Sequence, residues 1–258
     1  MNQFPYIVNV SLPKTGSTTI ASLFAKFDGV HEGLHIKTTK FLMNQNSKEP
    51  KINCYKEYLF KRQQQLNARV DSATFMHFFL PDLLDIWPES TYLHVIRDPI
   101  EWTVSYLYML TQYSIQLSTN TNTALCDWSN HYLDYQFSGI GFSSFQLALH
   151  DPHLLARLID KMLTYWYDRT LKTHLALSLS SSFSITTTLP KLSDQASQLA
   201  ICANIDPQLL PSLKKKNSAQ KDSKIYPLLQ KSVYDNSYGL ASLKQSLFLF
   251  DQISRNSI

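Results

Sequence analysis

The stretch YIVNVSLPKTGSTTIASLFAKF, from Tyr6 to Phe27, decides the fold. Tyr6 to Leu12 is apolar and rich in β-branched residues, the pattern of a strand buried in a parallel sheet. Pro13 to Ser17 breaks it with a turn. Thr18 to Phe27 then sets Ile20, Leu23, Phe24 and Phe27 on one helical face. A strand, a tight glycine-containing turn and a helix form the layout of a phosphate-binding βα unit. Backbone N–H groups at the start of such a helix lack intrahelical partners and carry partial positive charge, so they favour an anion. Lys14 adds a full charge, Gly16 permits close backbone approach, and Thr15, Ser17, Thr18 and Thr19 offer hydroxyls. This is not the triphosphatase pattern GxxxxGKS/T, because the lysine precedes the glycine and the upstream glycine is missing.

Working outward, Gly29 to Gly33 reads as a short second strand and its end. Residues 44–53 are polar and contain proline, which predicts a loop. Lys56 to Leu66 predicts a helix, Arg69 to Phe79 a third strand with its exit, and Leu80 to Trp87 a short helix stopped by Pro88. Thr91 to Ile96 has the strongest strand character in the chain. Pro99 marks the first turn of a helix that continues from Ile100 to Gln116. Leu154 to Leu177 predicts a long amphipathic helix, and the FSITTT run ending at Thr188 a last short strand. Ser193 to Ala203 and Val233 to Ile253 predict helices, the latter weakened at Gly239. Strands alternating with helices at this pitch define an α/β fold: a three-layer α/β/α arrangement, P-loop-like, with a central parallel sheet of about five strands and a helix-rich second half.

A second chemical signal is RDPIEWTVS, Arg97 to Ser105. The Thr91–Ile96 strand delivers Arg97 to its C-terminal end, where open α/β sheets bind ligands. Ser105 lies in the second turn of the following helix. An arginine fork and a hydroxyl from adjacent elements can grip one phosphate together; the alternative reading is a salt bridge of Arg97 with Asp98 at the strand end.

Composition narrows the class further. A chain of 258 residues can bury roughly 70–75% of its unfolded surface, enough for one sizeable core without metal or disulfide staples. A single domain over residues 1–258 is the expectation. The net charge of +4 is too mild to imply nucleic acid and suits a small anionic ligand. Cys54, Cys126 and Cys202 form no CxxC pair and read as reduced thiols in a cytoplasmic protein. The N-terminal segment lacks a basic region followed by an apolar run, so no signal peptide is expected. The uncharged stretch from Trp102 to Cys126 is too polar to span a membrane. No cysteine–histidine spacing suggests a metal, and neither GxSxG nor GxGxxG occurs.

PKTGSTT after the first strand, followed by RDPxxWxxS after a later one, resembles the sulfotransferases that use 3′-phosphoadenosine 5′-phosphosulfate (PAPS), above all the compact bacterial ones. Asp71-Ser72, the Trp87-Pro88 pair, the Tyr165-Trp166-Tyr167 helix and LKKKN at 213–217 extend the resemblance loosely. The resemblance implies that Lys14, Thr15, Gly16, Ser17, Thr18 and Thr19 hold the 5′-phosphosulfate, and that Arg97 and Ser105 bind the 3′-phosphate. It implies that Lys14 also meets the charge that grows on the bridging oxygen, and that no metal is needed. Thr19 departs from the family, which more often carries a large apolar side chain there. Lys214 to Lys216 lack the Arg-Lys-Gly triplet of the eukaryotic cytosolic enzymes and read as a solvated charge run.

Transfer to a hydroxyl acceptor requires a base, and the resemblance favours Glu32, with His31 as second choice and His77 as a further candidate. His77 reads otherwise as a buried, satisfied histidine, His35 as a surface residue and His94 as structural. Trp102, Trp166 and the tyrosines read as core or as the wall of an acceptor pocket. The implied activity is sulfuryl transfer from PAPS to a hydroxyl, or an amine, of a small molecule, glycan or lipid. The rival readings are a P-loop nucleotide kinase, which needs Mg²⁺ and a Walker-type loop, and a non-catalytic nucleotide-binding relative.

Overall fold

The computed structural model describes residues 4–46, 54–118, 123–211, 225–237 and 240–256. Five strands form one parallel sheet: β1 (Ile7–Asn9), β2 (Gly29–His31), β3 (Val70–Ser72), β4 (Thr91–Ile96) and β5 (Ser184–Thr188), in the order β2-β3-β1-β4-β5. Ile7 lies opposite Val70 on one side and Thr91 on the other. The fold class expected from the sequence is the one observed, an α/β/α sandwich with a helix-rich second half.

Alternation along the strands builds the layers, because successive side chains point to opposite faces. Ile7, Val70, Leu93 and Val95 pack on one face with Ile20 and Leu23 of α1 (Ser17–Leu23), with Phe24 just after it and with Leu199 of α9 (Ala196–Cys202). Val8, Val10 and Tyr92 pack on the other with residues of four helices. These are Leu42 of α2 (His35–Asn46), Leu59 of α3 (Cys54–Leu66), Leu83 of α4 (Leu80–Ile86) and Leu177 of α8 (Pro152–Leu179). A third apolar cluster joins α8 to α5 (Pro99–Ser118), α6 (Thr123–Phe137), α7 (Phe142–Leu147), α10 (Ile225–Ser237) and α11 (Ala241–Asn256). Trp102 and Trp166, both nearly without exposed surface, anchor it as core residues.

Several boundaries differ from the sequence expectation. The first strand is limited to Ile7–Asn9, and the third ends at Ser72, after which Met76–Phe79 form a 3₁₀ turn. Helix α1 stops at Leu23, short of Phe27. The expected Ser193–Ala203 helix begins as a 3₁₀ segment over Leu189–Gln195. Residues 44–46 belong to α2 rather than to a loop, and the segment expected as one helix from Val233 to Ile253 is described as α10 and α11. Lys214 to Lys216 lie outside the described residues.

The strand order positions the site. From β1 the chain crosses to β2, two places away, whereas β4 lies directly on the other flank of β1. Connections leaving neighbouring strands in opposite directions open a crevice at their C-terminal ends, where open α/β sheets take ligands. The loop after β1 carries Lys14 to Gly16, and the loop after β4 carries Arg97 and Asp98.

Candidate active site

The β1 loop is held by its own polar side chains. Ser11 donates its backbone N–H to Asn9 Oδ1 (3.2 Å), and its hydroxyl oxygen accepts the Val95 N–H (2.7 Å), tying β1 to β4. Thr15 donates its hydroxyl to the Leu12 carbonyl (2.5 Å) and is buried, so it serves the loop rather than facing the crevice. Trp102 Nε1 donates to the Pro13 carbonyl (2.6 Å), which pins the loop to α5. Gly16 has φ +104°, and a Cβ there would lie 2.8 Å from Leu189 Cδ1 and 3.2 Å from Leu192 Cδ2. Only glycine satisfies both constraints.

Lys14 sits at φ +65°, in the left-handed region that side-chain-bearing residues seldom occupy. Such a conformation costs on the order of 1–3 kcal/mol and persists where its surroundings enforce it. Among the described residues no carboxylate pairs with the Lys14 ammonium; burial and the nearby Arg97 guanidinium both hold its pKa below the ordinary lysine value. Arg97 Nη1 donates to the Lys14 carbonyl at 3.3 Å, and Arg97 Nε approaches Glu101 Oε2 at 3.4 Å. The two signals read from the sequence therefore meet where Arg97 touches the Lys14 main chain, near enough for the two cations to repel.

Asp98 does not pair with Arg97. Its Oδ1 accepts the N–H groups of Ile100 (2.9 Å) and Glu101 (3.0 Å), which caps α5. Arg97 also lines a cleft of about 140 Å³ together with Ile100, Glu101, Val104 and, from α10, Tyr226, Gln230 and Tyr234. Half-buried Ser105 lies four residues beyond Glu101 and so shares its helix face, one turn past the cleft.

The candidate bases lie on the opposite flank of the loop. Ser72 donates its hydroxyl to the Ser17 carbonyl (2.8 Å) and accepts from Asn9 Nδ2 (3.2 Å), joining β1, β3 and α1. His31 Nε2 lies 3.2 Å from Ser17 Oγ and 3.3 Å from Thr18 Oγ1, so the end of β2 touches the start of α1. Thr19, on the next residue of α1, is half-buried. Glu32, at φ +52°, accepts the Thr74 N–H through Oε1 (3.0 Å). Its other oxygen, Oε2, faces His35 Nδ1 at 3.7 Å, and His31 Nε2 is 3.8 Å from Oε1. Burial raises the Glu32 carboxyl above the usual value, against the opposing pull of His35 and the Thr74 bond. Burial lowers the His31 imidazole, which keeps it neutral near neutral pH.

Sequence reasoning missed three groups that position Glu32. Arg62 and Asp71 form an ion pair with almost no exposed side-chain surface. Arg62 Nη2 donates to the Gly33 carbonyl (2.9 Å) and to Asp71 Oδ1 (3.1 Å), and its guanidinium lies 5.3 Å from the Phe75 ring. The turn bearing Glu32 is thus fastened to β3 from α3, a contact no local pattern announces. His35 is not a free surface residue: its ring packs 5.3 Å from Phe75 and edge-on to Tyr132 at 5.8 Å. His77 is buried and satisfied, as its alternative reading held: Nδ1–H donates to the Thr74 carbonyl (2.7 Å) and Nε2 accepts from Tyr165 (3.1 Å). Burial drives its pKa down to about 3, so the ring stays neutral, and its one lone pair is taken up by the Tyr165 hydroxyl. Beside Glu32, Tyr106 and Tyr132 are joined through Gln136, whose Oε1 accepts from Tyr106 (2.9 Å) and whose Nε2 donates to Tyr132 (3.2 Å).

No family model and no curated protein matches the chain. Among solved structures, the chain is similar to a sulfotransferase from Alicyclobacillus acidocaldarius, with 11% identity over 95% of this chain and 96% of that one and a TM-score of 0.45. No described helix is long and apolar enough to cross a membrane. Among the described residues no group of three or more histidine, cysteine or acidic side chains is placed to hold a metal.

Proposed function

We propose that the chain is a PAPS-dependent sulfotransferase acting on a hydroxyl or amine acceptor of a small molecule, glycan or lipid. The observation that carries the reading is the pairing of Lys14 with Arg97: two adjacent cations at the crevice, the lysine desolvated and without a carboxylate partner among the described residues. Such a site favours an anion, since each charge-assisted contact contributes on the order of 1.5–3 kcal/mol. Bound PAPS would supply a sulfuryl group for in-line transfer, with cleavage of its bond to the 5′-phosphate.

Lys14 and the β1 loop, with Gly16, Ser17, Thr18 and Thr19, hold the 5′ end, and Thr15 fixes the loop from within. Arg97 and Ser105 bind the 3′-phosphate. Lys14 neutralises charge on the departing oxygen, so that one ammonium and oriented backbone dipoles take the place of a metal. Glu32 takes the acceptor proton, supported by its raised pKa and by an Oε2 that accepts no hydrogen bond; His31, against the Ser17 and Thr18 hydroxyls, is the second candidate. A general base of this kind contributes about 10²–10⁴-fold. A reducing, cytoplasmic setting belongs to this reading, in keeping with three cysteines that form no CxxC pair in the sequence.

The test is calorimetric titration with adenosine 3′,5′-bisphosphate, followed by turnover of labelled PAPS against a panel of hydroxyl acceptors. Binding that weakens in Lys14→Ala and Arg97→Ala is expected. No binding by the unaltered protein overturns the proposal, and binding without turnover on any acceptor replaces it with the non-catalytic reading.

A further inference from the structure

Arg97 does not face the crevice as a bare cation. Its Nη1 donates to the Lys14 carbonyl (3.3 Å), and its Nε is 3.4 Å from Glu101 Oε2. The two ends of that ion pair differ sharply: the Arg97 side chain is 18% exposed and the Glu101 side chain 62% exposed. Glu101 sits in the first turn of α5, and both residues line the cleft completed by Tyr226, Gln230 and Tyr234. Arg97 is anchored by the loop it touches, whereas the solvated Glu101 can swing into water without breaking any packing.

We infer that Glu101 is a resident counter-ion of Arg97, one that an incoming phosphate must displace and that thereby tempers how tightly the Arg97 end of the site holds a phosphate. The inference rests on the proposed function and names an affinity-tuning residue within it. An exposed ion pair is weak, so it yields to a stronger anion. A phosphate monoester bearing close to two charges outcompetes one carboxylate at the guanidinium and tolerates the residual repulsion. A ligand that places no phosphate there leaves the pair intact and gains nothing from Arg97.

The experiment compares adenosine 3′,5′-bisphosphate with adenosine 5′-monophosphate, which lacks the 3′-phosphate, on the full chain and on Glu101→Gln and Glu101→Ala. Thermal unfolding of each variant checks that the fold is kept. The expected result is several-fold tighter binding of the bisphosphate in both variants, with monophosphate binding unchanged. A gain in affinity is a readout that a merely structural role for Glu101 would not produce. Unaltered protein that binds the bisphosphate, with variants no tighter, overturns the counter-ion role and leaves the functional reading standing. Equal tightening of both nucleotides also overturns it, because the effect then is not exerted at the 3′-phosphate. Unaltered protein that binds neither nucleotide overturns the functional reading and this role with it.

Discussion

The guanidinium of Arg97 donates to the main-chain oxygen of Lys14 across 3.3 Å, although 83 positions separate them in the chain. The contact follows from β1 and β4 being parallel neighbours, which brings the loops at their C-terminal ends side by side. It brings two cations near enough to repel, and it ties down the main chain of a lysine already held at positive φ.

On the proposed function, replacement of Lys14 removes one charge-assisted contact to the nucleotide. Lys14→Ala is expected to weaken adenosine 3′,5′-bisphosphate binding roughly 10–150-fold, the equivalent of about 1.5–3 kcal/mol. Calorimetry checks the loss. Lys14→Gly should bind equally weakly yet unfold at a higher temperature than Lys14→Ala, because glycine relieves the left-handed strain.

Glu32→Gln separates binding from transfer. The amide oxygen can still accept the Thr74 N–H, so the loop should hold its shape, while kcat falls about 10²–10⁴-fold and nucleotide affinity is unchanged. On the proposed function, the acid limb of the unaltered protein's rate profile should lie above the ordinary glutamate value, since burial raises this carboxyl. The same raised pKa means that the ionised carboxylate opposes folding at neutral pH, a penalty that disappears as the pH falls below the unfolded-state value. Glu32→Gln should therefore melt at a higher temperature than the parent at pH 7. Unchanged kcat would move the base to His31.

Gly16→Ala combines positive φ with a contact of 2.8 Å to Leu189 Cδ1. The left-handed conformation alone costs about 1–2 kcal/mol, and relief of the contact has to displace the loop that carries Lys14. Both the urea midpoint and the bisphosphate affinity should drop, and a variant that lost neither would show the turn to be tolerant.

Asp71→Asn strands the buried Arg62 guanidinium. Breaking one side of a buried ion pair typically costs 3–5 kcal/mol, so a large fall in denaturant midpoint is expected. Replacing both residues with apolar ones of similar size, as in Arg62→Met with Asp71→Leu, should recover much of the stability. Transfer should stay low, because the Gly33 carbonyl loses its donor and the Glu32 turn loosens.

Acid should destabilise the fold through two core histidines. His77 and His94 are buried neutral, with pKa values held down to about 3 by desolvation. The unfolded chain takes up their protons from about pH 6.5 downward, so stability is lost as pH falls from 6.5 towards 3. At pH 5 each contributes a loss of about 2 kcal/mol. His94 Nδ1 makes no hydrogen bond, so His94→Leu should flatten the slope of urea midpoint against pH by one histidine's share. An unchanged slope would refute the assignment.

Much of the sheet could be read directly. Thr91–Ile96 matches its expected range residue for residue, because Thr91, Tyr92, Val95 and Ile96 are strand formers and the run lies between a turn and Arg97-Asp98-Pro99. The start of α5 is equally local, with Asp98 as cap and Pro99 in the first turn. Helix α2 was not legible, since HIKTTKFLMNQN has little amphipathic order and is held by the burial of Thr38, Thr39 and Leu42 against its neighbours. Nor were α6 and α7 anticipated, where aromatic packing against α8 and α5 rather than intrinsic propensity favours the helix.

The amino-acid order by itself determined the βα unit around Lys14, the arginine at the end of a later strand and the parallel class of the sheet, because these depend on residue type and on spacing within one element. Tertiary structure alone decided that Lys14 and Arg97 share a crevice, that Glu32 hangs from a turn fastened by Arg62 and Asp71, and that His77 is sealed against Tyr165. Those relationships join residues far apart in the chain. Their energies come from desolvation and hydrogen-bond partners that exist only once the sheet and its helices have packed.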